Sequence, residues 1–387
     1  MRNKLFYTCF YAFFYGGVLM ITIGCTLPDM RAVYNLSDTL SGALLSSYSF
    51  GNLASGIIIG LAGLYLGQKK SIILALISVL AGVSLLMTTH VKILLFLACA
   101  LIGVGRGSSI TFSQRGVSIL SGGNSRIIGM LHAFFAMGAI IAPLIFSVLR
   151  VITWRAGLIV AMILALIELI LFISIKDYSA LETLKDSDSN SDSESKNNKS
   201  RKSIEFMKDS GFIIICCSMF LYLCCEQSIS GWLVTYMNYK SMTMNFSQSM
   251  AALLWLVMLI GRLFCVWLAK YITNKKILLI SSISAAIFFA LMLKSEGEIF
   301  IALSVACVGF CMAGISPILY ASSAPYTNKY PLALGMLFTI GCTGSTIMPF
   351  ITGFIADFYG FDGGMSAILV TFILLIIFAV INLMRGK

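Results

Sequence analysis

The chain has 387 residues, of which 59% are hydrophobic and 11% charged, whereas soluble chains carry about 25% charged residues. No soluble fold buries that much apolar surface, so lipid is the solvent for most of this one and a soluble module is excluded. The net charge of +11 follows from loop topology, argued below, and is not read as nucleic-acid binding.

In chain order, apolar runs between short polar breaks place helices near residues 5–27, 40–65, 71–89, 93–114, 127–149, 155–175, 210–238, 248–269, 276–293, 299–321, 332–356 and 365–384. The first run follows a basic start, Arg2 and Lys4, and stays apolar to Leu27. It is too long for a signal peptide, lacks a small-residue cleavage site and leads into further spans, so it reads as an uncleaved first helix. Helices rather than strands follow because lipid offers backbone groups no partner and the runs lack barrel-like alternation. Between helices six and seven lies a polar segment, 176–209, with seven cations and eight anions, including KDSDSNSDSESKNNKSRKS. Its composition supports no core, and it reads as a flexible cytoplasmic linker. It divides the chain into a six-helix bundle at 1–175 and another at 210–387.

The two halves repeat at an offset of 206 residues. Lys69-Lys70 match Lys275-Lys276, Gly103 matches Gly309, and Gly129-Met130-Leu131 match Gly335-Met336-Leu337. Gly138, Ile141, Pro143 and Ile145 match Gly344, Ile347, Pro349 and Ile351, giving 7 identities over the 17 positions 129–145. The expected fold is therefore all-α: twelve transmembrane helices in two pseudo-symmetric six-helix bundles. Parallel repeats of this kind place a solute site at the repeat interface. Lys and Arg fall 18 to 6 in favour of the side holding both termini, so the positive-inside rule puts those termini in the cytoplasm of a cell-membrane protein.

At this point the sequence resembles the major facilitator superfamily over nearly its whole length outside the linker. TLPDMRAVYNLSDTLSGALLSSYSFGNLASG after the first helix is similar to that family. The loop GLAGLYLGQKKS (60–71) resembles its loop motif through Gly60, Gly67 and Lys69-Lys70, with Leu64 and Tyr65 in place of the motif's aspartate and arginine. Trp154-Arg155 and GFIADFYG (353–360) also fit. LHAFFAMGAIIAPLI (131–145), with Glu226, Trp232 and Tyr236 in LYLCCEQSISGWLVTY, resembles the sugar-transporter branch that includes the fucose permease. That resemblance implies proton-coupled sugar uptake, although the branch's two functional carboxylates would fall on Gly24 and Ser108 here. GAIIAP (138–143) is a partial match to an antiporter motif, in which Phe146 and Ser147 replace the glycines expected after the proline.

Ionisable groups at mid-membrane cost about 2.5–3.5 kcal/mol on insertion scales, so they face a cavity or a partner. Glu226, near the middle of helix seven, is the leading candidate for proton coupling, with Tyr222 and Ser230 one turn to either side. Arg106, among the glycines of GVGRGSS, is the candidate clamp for a carboxylate or phosphate, or a partner for Glu226. Asn52, Trp232 and Tyr320, with Tyr15 and Tyr236, are candidates for stacking on or hydrogen-bonding a polar solute. Lys69, Lys70, Arg115 and Arg262 are assigned to inner-gate contacts. His132 and Glu168 read as packing residues.

Eleven cysteines and two histidines show no metal-ligand spacing, and neither metal nor cofactor is expected. HExxH, GxSxG and P-loop motifs are absent from the sequence, which argues against a membrane enzyme and an ATP-driven pump. The sequence reads as a monomeric secondary active transporter for a small polar solute, a sugar or organic anion, coupled to protons. The competing readings are a drug or metabolite efflux antiporter of the same fold and a channel or receptor.

Overall fold

A computed structural model describes residues 2–122, 124–175, 205–327 and 329–385. Most of the expected linker, 176–204, lies outside the described residues; its last part forms a short 3-10 turn, Glu205–Lys208.

The first half supplies α1 (Arg2–Tyr34), α2 (Asp38–Leu66), α3 (Gln68–Thr88), α4 (Lys92–Leu120), α5 (Ser125–Leu149) and α6 (Ala156–Ile173). The second supplies α7 (Ser210–Tyr239), α8 (Met244–Leu268), α9 (Asn274–Lys294), α10 (Glu298–Met312), α11 (Ile315–Thr327) and α12 (Pro331–Met384). No strand occurs among the described residues. Among the described residues, eleven helical runs are long and apolar enough to cross a membrane, with α10 and α11 forming one of them. The 54 residues of α12 would extend about 80 Å as one helix, far beyond a hydrocarbon core of about 30 Å. The run breaks at Gly360, whose φ of 76° lies in the left-handed region that glycine adopts without steric cost. Counted on either side of that break, the spans number twelve.

The described residues group into two compact units. Of the described residues, one draws on those within 2–36, 43–175 and 243–252, the other on those within 37–42, 205–242 and 253–385. In the first, α1 packs on α4, α5 and α6, and α3 on α4 and α6. In the second, α7 packs along α12 and against α11, and α9 against α10 and α12. Lipid removes the hydrophobic drive between spans, so close backbone approach at small residues holds such helices together.

The repeat recurs in those approaches. Gly138 on α5 abuts the carbonyl oxygen of Phe14 on α1, and Gly344 on α12 abuts that of Phe220 on α7. Gly103 on α4 abuts the carbonyl of Tyr48 on α2, and Gly309 on α10 abuts that of Leu254 on α8. In both cases each partner stands 206 residues from its counterpart. The duplication therefore preserves which helix meets which glycine.

The ends are fixed by polar contacts. Lys69 donates to the carbonyls of Ile173 (3.3 Å) and Ile175 (2.9 Å), closing the C-terminus of α6. Arg150, just past α5, grips Asp29 of α1 with Nη2–Oδ1 at 2.7 Å and Nε 3.1 Å from both carboxylate oxygens. Those hydrogen bonds raise the Arg150 guanidinium above its ordinary value.

Candidate functional site

Arg106 lies at the middle of α4 in the first unit. Its Nε donates to the carbonyl of Gly16 on α1 at 2.9 Å, and its Nη1 donates to Oδ1 of Asn52 on α2 at 2.9 Å. The guanidinium carbon stands 5.8 Å from the ring centre of Tyr48 and 5.4 Å from that of Phe135. The surrounding glycines explain how α4 comes so near. A Cβ at Gly103 would meet the backbone of Tyr48, and one at Gly107 would meet Asn52 and Ser55. Among the described residues, no carboxylate forms an ion pair with Arg106. A half-buried fork with two neutral acceptors and two aromatic faces is chemically suited to a planar anion.

Glu168, read from the sequence as packing, is fully buried on α6 and accepts a 2.5 Å hydrogen bond from Ser109 Oγ, one turn beyond Arg106 on α4. Beside it, Tyr11 and Tyr15 of α1 donate to the α6 carbonyls of Leu164 (3.0 Å) and Ala161 (2.8 Å). Tyr15, a candidate for solute contact, is thereby spent on holding α1 to α6.

In the second unit, Glu226 on α7 accepts a 2.6 Å hydrogen bond from Tyr222. Arg262 on α8 places Nη2 3.8 Å from Glu226 Oε1 and lies 5.9 Å from the Trp255 ring centre. Ser230 continues the same α7 face, and its buried hydroxyl has no hydrogen-bond partner among the described residues. Tyr320 on α11 is partly exposed. Trp232 is fully buried and donates its indole N–H to the Pro349 carbonyl at 3.1 Å. Tyr236 is also buried and donates to Asp362 at 2.8 Å. These two aromatics pack inside the unit.

The structure thus brings Arg106 together with Asn52, and Glu226 with Tyr222 and Arg262. Lys70 and Arg115 are exposed, and His132 is exposed with its ring edge-on to Phe13. Leu64 and Tyr65, the departures from the loop motif, are also exposed. The sequence reading missed the approach of Arg262 to Glu226 and the bond from Ser109 to Glu168. Among the described residues, no group of three His, Cys, Asp or Glu side chains is placed to hold a metal.

Two duplicated bundles of membrane-spanning helices, each carrying charged side chains within its apolar helices, define a multi-pass membrane transporter rather than an enzyme. The family model described as the Major Facilitator Superfamily matches residues 7–294 and 215–386, and the chain belongs to that superfamily. It is 26% identical over 347 residues to the putative niacin/nicotinamide transporter NiaP of Bacillus subtilis (strain 168), covering 85% of this chain and 82% of that one. The fold is shared with the nucleoside transporter NupG (TM-score 0.75, 14% identity, covering 100% of this chain and 99% of that one). It is shared equally with a D-xylose-proton symporter (TM-score 0.78, 13% identity, covering 98% and 97%).

Proposed function

We propose that this protein is a secondary active transporter that moves a small organic anion across the cell membrane by alternating access, with Arg106 as the anion-binding group. The observation that carries this reading is the Arg106 guanidinium itself. It is held at mid-helix by Gly16 and Asn52, flanked by Tyr48 and Phe135, and has no carboxylate partner among the described residues. A cation kept at that depth is costly unless an anion joins it. The relative named for niacin and nicotinamide supports an aromatic carboxylate as the class.

Glu226 is the proposed proton-coupling group. Its carboxylate is shared between a neutral donor, Tyr222, and a cation, Arg262, so protonation would release Arg262 and shift the balance between conformations. Ser230 and Tyr320 extend that polar face. Lys69, Lys70 and Arg115 are proposed as inner-gate groups of a monomer with both termini in the cytoplasm. Trp232 enters the solute path only if the second unit repacks.

A sugar is the second reading, favoured by the resemblance of residues 131–145 to the fucose permease branch. Niacin and nicotinamide, alike in ring but differing in charge, separate the two readings. In proteoliposomes the protein should take up or exchange niacin, and the loss on Arg106→Gln should be larger for niacin than for nicotinamide. Equal losses for both would overturn the anion site. Sugar-specific thermal stabilisation would favour the second reading, outward-only drug flux an efflux antiporter, and unsaturating flux with a conductance a channel.

A further inference from the structure

A polar cavity of about 590 Å³ lies in the second unit where α7 begins, α11 ends and α12 ends. It is remote in sequence from Arg106 and shares no residue with the Glu226 cluster. Three cations line it: Lys208, Lys329 and Arg385. Its one carboxylate, Asp209, is engaged in capping α7, accepting from the Gly211 N–H at 2.6 Å. Among the described residues, none of the three cations forms an ion pair. Lys329 Nζ stands 5.2 Å from the Tyr330 ring centre, so aromatic surface forms part of the wall.

Exposed apolar side chains lie one and two helical turns from the cavity wall. Ile377, Ile381 and Arg385 recur every four residues and share one face of α12. Ile377 is 48% exposed and Ile381 39%. On α7, Ile213, one turn after Ser210 of the cavity wall, is 45% exposed. A net positive recess therefore lies one turn from exposed isoleucines on two helices that pack together, α7 and α12. A soluble anion would use the recess alone, whereas an amphiphile with a phosphate head uses both.

We propose that this recess binds the phosphate-bearing headgroup of an anionic phospholipid, whose acyl chains lie along Ile377, Ile381 and Ile213. Lys208, Lys329 and Arg385 neutralise the phosphate, and the site acts on stability rather than on solute recognition. A juxtamembrane cation contributes about 1 kcal/mol to anionic-lipid attraction, about fivefold in affinity.

The test uses the purified full chain in detergent, with its melting temperature followed as phosphatidylglycerol, phosphatidylcholine or inorganic phosphate is added. Phosphatidylglycerol should raise the melting temperature in a saturable way, since binding to the folded state stabilises it. Phosphatidylcholine and millimolar inorganic phosphate should not. The triple variant Lys208→Gln, Lys329→Gln, Arg385→Gln should weaken the phosphatidylglycerol effect about a hundredfold, following about fivefold per cation. Should that variant fail to fold, the single substitutions Lys208→Gln and Lys329→Gln, both at exposed side chains, should each weaken it about fivefold. An undiminished shift in the variants, or an equal shift with phosphatidylcholine, overturns the proposal. So does inorganic phosphate reproducing the full shift, which would make this a site for soluble phosphate.

Discussion

Arg262 stands 3.8 Å from Glu226, joining α8 to α7 within the second unit. The pairing follows from depth. The two helices meet at one turn, Glu226 lying 13 residues before the end of α7 and Arg262 lying 18 after the start of α8. The difference of five residues is about 7 Å along the helix axes, within the reach of an extended arginine. Glu226→Gln removes the charge that Arg262 attends while leaving Tyr222 an acceptor. If Glu226 couples protons, gradient-driven accumulation of solute should be lost while solute exchange at equal pH persists. Full accumulation in the variant would move coupling to another group.

Most of the fold was legible in the sequence because lipid imposes a single code, long apolar runs, and because the 206-residue repeat is carried by residues with packing duties. Gly103, Gly138, Gly309 and Gly344 are such residues. The site was less legible. Arg106, Glu226 and Tyr222 stood out as polar groups in apolar runs, but their partners did not. Arg262 reads as an inner-end cation from its own helix, because its partner Glu226 sits on α7 and leaves no mark in the local sequence of α8. Trp232 and Tyr236 read as solute contacts in the sequence, since burial direction on a helix that is apolar almost all round leaves no periodic mark. Glu168 reads as packing on an aliphatic helix, and its link to Ser109 depends on a contact between α6 and α4 that no local pattern encodes.

Arg106 gives the sharpest functional prediction. Arg106→Lys keeps the charge but loses the fork that engages Gly16 and Asn52 together. Charge-assisted hydrogen bonds are worth about 1.5–3 kcal/mol, so the affinity for an organic anion should fall about tenfold or more. Affinity for its neutral amide analogue should change by less than about threefold on the same scale. Isothermal titration of both ligands on parent and variant decides this, and parallel losses would show that Arg106 shapes the bundle rather than binding the anion.

Ser109 and Glu168 form a buried pair whose removal can be separated into shape and polarity. Glu168→Gln keeps the volume and an acceptor for the Ser109 hydroxyl, so the melting temperature should stay near the parent value. Glu168→Ala opens a cavity and strands that hydroxyl, a penalty of about 1–3 kcal/mol for the unsatisfied group alone. A clear drop in melting temperature is therefore expected for Glu168→Ala and not for Glu168→Gln. Equal drops would mean that the carboxyl itself, and not the hydrogen bond it accepts, holds α6 to α4.

The repeated glycines divide into two kinds, and substitution should tell them apart. At Gly138 and Gly344 an added Cβ would run into the carbonyls of Phe14 and Phe220, and backbone cannot turn aside as a side chain can. Gly138→Ala and Gly344→Ala should each cost about 1–3 kcal/mol, as overpacking does, and lower the yield of folded protein. Gly129 and Gly335 also match across the repeat, yet a Cβ at either meets nothing within 4 Å. Both are helical and neither has a positive φ, and at such positions alanine is favoured over glycine by about 0.5–1 kcal/mol. Gly129→Ala and Gly335→Ala should therefore fold at least as well as the parent by thermal melting. If they nevertheless abolish transport without loss of folded protein, these two glycines serve a conformation other than this one. That result would separate the part of the repeat kept for packing from the part kept for movement.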